Sequence, residues 1–396
     1  MFNKLEKRNG EGDAGYNVKY EGPVSPPGVV QAGALFTMHP RLGVANGTGV
    51  AAGLTYMITN SSNIRTVDLT IHGGATESVV EGGGAGNNTY VRVKVVRRPR
   101  TPGSPPRLLA ANADGFHSSC VRVGPKLIDS EFEFTGDDIL NIHSRMSLVL
   151  QSLSEDAAYI IDTLGTSSPA DYDPSTLMLQ QTVVGDTIAF FELGSLVPVS
   201  VDNTITSLTW ITDASILKEA AAALTEINKV PYTQHISHPF GTRVWKVEWK
   251  PSSADIPSST SPRARLRSLP KFTLVDVPRL RNVGAVLQGN YFHDAYMRFG
   301  LFDSPGMVVV GNRFERGFPA YIGESGDGWL EGPPLTTDVT FANNSFADVY
   351  GLYPVVVNPG AARSTIAIEN SNVCTDANGT AIPCVQSPDS PTRKVA

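Results

Sequence analysis

The chain has 396 residues, 37 of them Gly and 28 Pro, and carries a formal net charge of −6 at pH 7. An acidic balance gives no general attraction to phosphate backbones or anionic membranes, so we expect neither nucleic acid nor a membrane as a partner. No apolar run approaches the roughly 20 residues that span a bilayer. Frequent turn residues and a single amphipathic helical pattern predict an all-β protein with short strands.

The first 59 residues are rich in Gly and Pro and predict an irregular or capping segment. From residue 60 to 150 the chain falls into short strand patterns of one type, and these return between residues 271 and 385. Residues 386–396 are expected to form a disordered tail. The two stretches of similar strands therefore predict one repeating unit that is interrupted in the middle.

The later units share an Asn followed two positions on by Phe; the pairs are Asn290 and Phe292, Asn312 and Phe314, and Asn344 and Phe346. The Phe residues are 22 and then 32 positions apart. A period in the twenties, lengthened where a loop intrudes, is typical of stacked coils that bury apolar residues only against their neighbours. We predict a right-handed parallel β-helix in which these Asn and Phe residues are core ladders.

Between residues 151 and 270 the repeat is replaced by strand patterns at hairpin-like spacing, including one over "STLMLQQTVV". This predicts an inserted small β-barrel or sandwich. Within it, "DASILKEAAAALTEIN" predicts a helix capped by Asp213, with an apolar face that includes Leu217, Leu224 and Ile227. The Pro- and Ser-rich segment 251–270 is expected to be the exposed linker back to the coils.

Two stretches, "NADGFHSS" and "TGDDILNIHSR", place carboxylates beside strands. Asp114 precedes Asp137 by 23 residues, about one circuit, and neighbouring coils lie roughly 4.8 Å apart. We expect Asp114, Asp137 and Asp138 to meet at one solvent-facing edge. Gly115 and Gly136 would supply the bend that this requires. Mutual repulsion raises at least one pKa, which suits glycosidic cleavage by one carboxyl as acid and another that activates water or attacks the sugar.

The residues expected to bind substrate on the same wall are polar, charged or aromatic: His117, His143, Arg145, Tyr296, Arg298, Glu324, Trp329 and Glu331. Sugars need this mixture, because their hydroxyls require hydrogen-bond partners and their apolar ring faces stack on aromatic side chains. Trp329 lies in a Gly-rich loop with little core to join, so we expect it to be a ligand platform.

The stretches "NADGFHSS", "GPKLIDSEFEFTGDDILNIHSR", "MRFGLFDS" and "GESGDGWLEG" together resemble the β-helical α-1,3-galactosidases of glycoside hydrolase family 110, over about residues 60–375. The resemblance implies an inverting, exo-acting enzyme on a terminal α-galactoside of an oligo- or polysaccharide, with no metal or other cofactor. It implies Asp137 as general acid and Asp114 with Asp138 as base. More distantly, the acidic motifs are similar to polygalacturonases, although their Gly-His-Gly and Arg-x-Lys elements are absent here.

Two other functions remain open from the residues. One is a polysaccharide lyase, in which Lys or Arg would stand at the centre of the cluster, whereas acids predominate here. The other is a non-catalytic carbohydrate-binding solenoid, in which Gly-Asp-Asp is an exposed turn or a calcium site made of oxygen ligands. Loss of activity in a chelator would favour the lyase, and turnover separates the hydrolase from the binding protein.

The three cysteines are too few for a disulfide scaffold, but Cys374 and Cys384 bracket a loop that a disulfide could close. Cys120 lies among strand residues and is expected to be a small buried hydrophobe. Sequons for N-glycosylation begin at five positions: Asn46, Asn60, Asn87, Asn343 and Asn378. We therefore expect a secreted glycoprotein whose leader lies outside this chain, and the sequence leaves open whether it forms a homo-oligomer.

Overall fold

The computed structural model describes residues 55–74, 77–103, 106–162, 177–227, 243–251, 268–323, 330–332, 336–358 and 365–385, together with the backbone of two strands near the N-terminus. This part of the chain is nearly all β, as the sequence predicts. No helix within it is long and apolar enough to cross a membrane.

The N-terminal unit, residues 1–38, contains an antiparallel pair of strands, β1 (Phe2–Lys7) and β2 (Tyr16–Tyr20). Residues 39–396 form the second unit. The prediction of an irregular segment over residues 1–59 is therefore wrong in two places. It missed this strand pair, and it missed a strand that begins at Tyr56 and belongs to the repeating part.

Ten short strands precede the antiparallel insertion: β3 (Tyr56–Thr59), β4 (Arg65–Val67), β5 (Thr70–Ile71), β6 (Val79–Gly82), β7 (Thr89–Val91), β8 (Lys94–Val95), β9 (Phe116–Ser119), β10 (Lys126–Ile128), β11 (Glu131–Glu133) and β12 (Leu140–His143).

The insertion contains six strands and two helices: β13 (Ser147–Ser154), β14 (Ala157–Asp162), α1 (Met178–Gln181), β15 (Thr187–Phe191), β16 (Pro198–Trp210), α2 (Ala214–Ile227), β17 (Arg243–Lys250) and β18 (Leu274–Asp276).

A short 3-10 turn, Pro278–Leu280, leads into the last ten strands: β19 (Val286–Gln288), β20 (Tyr291–His293), β21 (Arg298–Phe302), β22 (Val308–Val310), β23 (Arg313–Ile322), β24 (Thr340–Ala342), β25 (Ser345–Val349), β26 (Val355–Val357), β27 (Ala367–Ile368) and β28 (Val373–Thr375).

The short strands form three parallel stacks, each built from strands that are distant in sequence. The first runs β3-β6-β9-β12-β21-β23-β26, the second β4-β7-β10-β19-β22-β24-β27, and the third β5-β8-β11-β20-β23-β25-β28. The long strand β23 belongs to the first and the third stack. Because β12 pairs with β21 and β10 with β19, the parallel stacks before the insertion continue directly into those after it. We use the word coil for one set of consecutive strands that adds one strand to each stack.

Buried Asn and Phe ladders hold the coils together, as the sequence predicts. The amide oxygen of Asn312 accepts from the backbone N–H of Asn290 at 2.9 Å, and the Asn344 oxygen accepts from the N–H of Asn312 at 2.9 Å. Asn372, which the sequence analysis missed, extends the ladder by one coil. The rings of Phe314 and Phe346 stack with centroids 4.5 Å apart. Each ladder side chain thus supplies hydrogen bonds or packing contacts that a buried turn would otherwise lack.

The six strands of the insertion pair in a closed antiparallel ring, in the order β13-β14-β17-β16-β15-β18. It begins at Ser147 and ends at Asp276, so it is slightly longer at both ends than the predicted range 151–270. Strand β18 pairs with β13 and β15 and closes the ring, so the chain completes the insertion before it returns to the coils. Most of the predicted linker, residues 252–267, lies outside the described residues.

Helix α2 forms where the sequence predicts it, and the Asp213 carboxylate accepts hydrogen bonds from the backbone N–H groups of Ser215 and Ile216. The strand predicted over "STLMLQQTVV" is wrong, because its centre is the short helix α1. The apolar residues there pack into the core of the insertion at Met178 and Leu179 rather than alternating between two faces. A short apolar run does not distinguish a strand from a buried helix.

Cys374 and Cys384 form the disulfide that the sequence left open. Cys120 is buried, and burial raises the pKa of its thiol to about 12, which agrees with a small core residue rather than a nucleophile. The sequon residues Asn60 and Asn343 are exposed, as glycosylation requires, while Asn46 lies outside the described residues. Secretion stays a prediction.

Candidate active site

The predicted acidic residues meet at one end of the first stack. The register of β9, β12 and β21 places Asp114, Asp138 and Arg298 at equivalent positions in three neighbouring coils, each two residues before a paired strand residue. Carboxylate oxygens of Asp114, Asp137 and Asp138 lie within 4.8 Å of one another. The one-circuit spacing in the sequence therefore predicted the proximity of these three residues correctly.

The expectation that all three carboxylates face solvent is wrong for two of them. Asp114 is 5% exposed and Asp138 is 1% exposed, whereas Asp137 is half-buried. The reason is that charged neighbours pack against the two buried acids: His117 from the same coil contacts Asp114, and Arg298 from the next coil contacts Asp138. Asp137 is thus the most accessible carboxyl of the cluster.

The two glycines beside the acids allow close approach of the coils rather than an unusual backbone conformation. Neither Gly115 nor Gly136 has a left-handed φ. A Cβ at Gly136 would lie 2.5 Å from the carbonyl oxygen of Asn112, and one at Gly115 would lie 2.8 Å from that of Ile139. Any side chain at these positions would push apart the coils that carry Asp114 and Asp137.

Arg298 binds Asp138 in a bidentate pair, with its Nε and one terminal nitrogen each 2.8 Å from a carboxylate oxygen. Burial is the largest influence on Asp138 and raises its pKa well above the ordinary range; the charges of Asp114 and Asp137 act in the same direction, and Arg298 opposes them. The cluster therefore contains one carboxyl that takes up a proton more readily than a carboxyl in water.

A buried chain of hydrogen bonds runs from Asp114 through two histidines. His117 Nδ1 lies 2.8 Å from an oxygen of Asp114, and its Nε2 lies 3.0 Å from Nε2 of His143. The carbonyl of Ser144 only accepts, so His143 donates to it from Nδ1. Burial lowers the pKa of His143 to about 4, which leaves the ring neutral and its Nε2 an acceptor.

His117 must therefore donate its Nε2 proton to His143, while its Nδ1 faces Asp114. Burial alone would lower the pKa of His117, but the hydrogen bond and charge of Asp114 and the charge of Glu331 outweigh it, so the pKa is raised. The raised pKa favours the imidazolium form of His117, which donates to Asp114 from Nδ1. That the two histidines bind substrate stays a prediction; in the structure His117 contacts Asp114, and His143 contacts His117 and Glu331.

Glu331 lies across the outer face of the first stack. One of its oxygens is 3.7 Å from Nε2 of His143, and the other is 3.4 Å from the amide nitrogen of Asn141. Its backbone forms a bridge with Arg145. Burial would raise the pKa of Glu331, but the positive charges of His117 and Arg145 and the hydrogen bond from Asn141 outweigh burial and lower the pKa, so the group is ionised.

Asn141 is a candidate site residue that the sequence analysis missed. It is buried, and because its amide nitrogen faces the ionised Glu331, its Oδ1 points the other way. That oxygen has no hydrogen-bond partner among the described residues, nor does Nε of Arg145. A buried acceptor without a partner is costly unless a ligand or water supplies a donor. Its place in "NIH", two residues before His143, was the available signal.

The remaining predicted binding residues lie apart or outside the described structure. Tyr296 is exposed, and its ring centroid lies 5.8 Å from that of Phe134. Glu324 and Trp329 fall outside the described residues. A cavity of about 400 Å³ on the insertion, lined by residues such as Lys246 and Trp249, contains none of the acidic cluster.

The oxygen atoms of the acidic cluster also fit a hard cation such as calcium by ligand type. His117 and Arg298, however, already place positive charge beside two of the three carboxylates. These side chains bind carboxylate oxygens that a metal cation would need. Two of the three acids are therefore already paired with positively charged side chains.

No protein-family model matches this chain, and no curated protein sequence matches it either. The resemblance to glycoside hydrolase family 110 accordingly rests on the quoted motifs.

Proposed function

We propose that the chain is a glycoside hydrolase whose active site is the cluster of Asp114, Asp137 and Asp138. The observation that carries the proposal is the convergence of three carboxylates from two coils, with oxygens within 4.8 Å and with one pKa raised by burial and mutual repulsion. Cleavage of a glycosidic bond needs neighbouring carboxyls in different protonation states, because one donates a proton while another acts as base or nucleophile.

The roles follow from accessibility and support. Asp137 is the carboxyl that a leaving-group oxygen reaches most easily, so accessibility and the family resemblance assign it the proton transfer, while the raised pKa is that of the buried Asp138 beside it. Asp114 and Asp138 are fixed by His117 and Arg298, and oriented carboxylates of this kind hold or activate a water molecule. Glu331, whose side chain is 18% exposed, offers acceptor oxygens for sugar hydroxyls nearby.

The proposed fold is a right-handed parallel β-helix with the antiparallel ring inserted between two of its coils. Three stacks of parallel strands in continuous register support it, as does the order in which successive circuits add one strand to each stack. Such a scaffold explains how Asp114, Asp138 and Arg298 come to lie in one row, since each coil contacts only its neighbours.

The proposed substrate is a terminal α-galactoside, which rests on the family resemblance. Inversion, which the resemblance also implies, needs about 6.5–9.5 Å between acid and base, whereas retaining enzymes have about 5–5.5 Å. In the cluster, one oxygen of each carboxylate lies within 4.8 Å of one oxygen of the others. This limit joins selected oxygens rather than whole carboxyl groups, so the anomer released decides the stereochemistry.

The lyase alternative gains little support from Arg298. Its guanidinium is a cation beside the acids, but it is engaged by Asp138 on two atoms. A lyase would need that charge for the carboxylate of its substrate. Because this arginine neutralises a protein carboxylate, hydrolysis remains the better match to the arrangement.

The test is incubation with a panel of aryl α- and β-glycosides, with the released anomer followed by NMR. We expect the wild type to hydrolyse an α-galactoside and Asp137→Asn to lose about 10²–10⁴-fold in kcat. Asp114→Asn should also lose activity, while the exposed Asp129→Asn, on the same coil as Asp137, should retain it. Hydrolysis that survives substitution of both Asp114 and Asp137, or no hydrolysis of any glycoside, would contradict the proposal.

A further inference from the structure

The corner between the third and first stacks repeats the same backbone bend in four successive coils. The residues there have a left-handed backbone although none is Gly: Phe134, Asp294, Arg316 and Asp348, with φ between 47° and 53°. They are equivalent, because the strand residues just before them pair in register. A conformation that is costly for such residues fixes the direction in which the chain leaves each corner.

The residue two positions past this bend is an exposed aromatic in three consecutive coils. Tyr296 is 49% exposed, Phe318 is 42% exposed and Tyr350 is 50% exposed. In the coil that carries Asp137, the equivalent position is Gly136. We name Tyr296, Phe318 and Tyr350 the aromatic strip. Single exposed aromatics are ordinary, but three that follow the same bend in adjacent coils form an apolar patch at one corner of the stacks.

Ring contacts form two pairs at this corner, one within the strip and one between Tyr296 and Phe134 of the preceding coil. The centroids of Phe318 and Tyr350 lie 5.6 Å apart in an edge arrangement, and Tyr296 lies 5.8 Å from Phe134. The guanidinium of Arg97 covers the ring of Phe134 at 3.3 Å from its centroid, so the strip ends at Phe134 on the side of the earlier coils. The exposed ring faces therefore extend only towards the later coils.

The strip is continuous with the acidic cluster. Phe318 pairs in register with Arg298, the residue that binds Asp138. With strands roughly 4.8 Å apart, the backbone of Phe318 lies roughly 10 Å from that of Asp138, two coils away. Tyr350 is one coil further, because its N–H donates to the carbonyl of Gly317. The row thus passes from acids through an arginine to aromatic rings.

We propose that the aromatic strip binds a polysaccharide chain that runs along the stack of coils, away from Asp137. The substrate would then be a polymer bound over several sugars, rather than a single terminal residue recognised alone. This inference rests on the proposed function for its direction, although binding by the strip does not require hydrolysis.

The composition of the surface favours a glycan over a protein partner. Flat rings provide stacking faces for sugars, and charged groups that can contact hydroxyls flank them, namely the Asp294–Arg316 pair at 2.6 Å and Asp348. One ring per coil also presents a regular series of faces, which suits a polymer of repeating units. The aromatic strip lies beside the acidic cluster to which we assign cleavage of a glycosidic bond.

The experiment measures binding separately from catalysis by using Asp137→Asn protein in native gels that contain a soluble polysaccharide. The probes are galactomannan, arabinogalactan, xylan and mixed-linkage β-glucan, with free galactose as the short sugar. We expect at least one polymer to retard the protein, and free galactose to compete only weakly. Adding Phe318→Ala or Tyr350→Ala should weaken binding of that polymer at least tenfold, while Tyr350→Phe, which keeps the ring, should bind within twofold.

Trp210→Ala is the matched control, since Trp210 is an exposed aromatic residue on the insertion. It should leave polysaccharide binding unchanged. The proposal is overturned if no polymer retards the protein, or if Phe318→Ala and Tyr350→Ala bind as the parent does. It is also overturned if these variants instead change the oligomeric state in sedimentation, because the strip would then be a contact between copies. Hydrolysis without polymer binding would leave the proposed function intact and remove only this inference.

Discussion

Replacing Glu81 with Gln should make the protein more stable at high pH and less dependent on pH. Glu81 is completely buried inside the coils, where the hydroxyl of Tyr90 donates to it at 2.6 Å. Ser118 lies 3.2 Å from its other oxygen but is only 2.6 Å from the amide oxygen of Asn282. Since Ser118 has one proton and Asn282 is the nearer acceptor, Glu81 is best satisfied when it carries a proton of its own.

The magnitude follows from the pKa. Burial raises the pKa of Glu81 from 4.5 to about 7, partly offset by the hydrogen bond from Tyr90 and by the nearby polar side chains of Asn88 and Ser118. The pKa of Glu81 is higher in the folded protein than in the unfolded chain. Its contribution to stability is therefore fully present below pH 4.5 and is lost as the pH rises through 7. At about 1.4 kcal/mol per pKa unit, Glu81 reduces the free energy of unfolding by about 3 kcal/mol between pH 4 and pH 8.

The assay is urea unfolding of the wild type and Glu81→Gln at pH 4, 5, 6, 7 and 8. Gln has the shape of protonated Glu and does not titrate, so Glu81→Gln should not lose stability through this site as the pH rises. Its free energy of unfolding relative to the wild type should therefore rise by about 3 kcal/mol between pH 4 and pH 8. Other carboxyls titrate equally in both proteins and cancel. Exposed Glu155→Gln should follow the wild type at every pH. A constant difference between the wild type and Glu81→Gln from pH 4 to pH 8 would refute the reasoning.

Three further changes test the coil core by chemical unfolding. Asn312→Ala removes the acceptor of the Asn290 N–H and the donor to the Leu287 carbonyl, so it should lower the free energy of unfolding by about 2–5 kcal/mol. The exposed Asn370→Ala should change it by no more than about 0.5 kcal/mol. Equal losses in the two variants would argue against the ladder. Phe314→Ala should cost about 3–5 kcal/mol because the ring is fully buried, and a loss below 1 kcal/mol would contradict its place in the stack. Reducing the Cys374–Cys384 disulfide should cost about 2–4 kcal/mol, and a midpoint unchanged by reductant would show that it does not constrain the chain.

Local sequence patterns were sufficient for the parts of the site that lie one circuit apart. The spacing between Asp114 and Asp137 set their proximity, because a coil of about that length returns the chain to the same edge. The spacing did not reveal burial, since the side chains that cover Asp114 and Asp138 depend on rotamers and on a later coil. Arg298 reaches Asp138 across 160 positions, with the whole insertion between them. No periodicity within one segment encodes that contact.

Local spacing and residue type were enough to predict the β composition, the Asn and Phe ladders, the helix capped by Asp213 and the presence of an insertion. The folded structure was needed to show that two acids are buried beside cations, that Asn141 has an oxygen without a partner among the described residues, and that three aromatics share one corner. These features arise where separate coils meet, and the strand register that brings them together is a property of the folded stack.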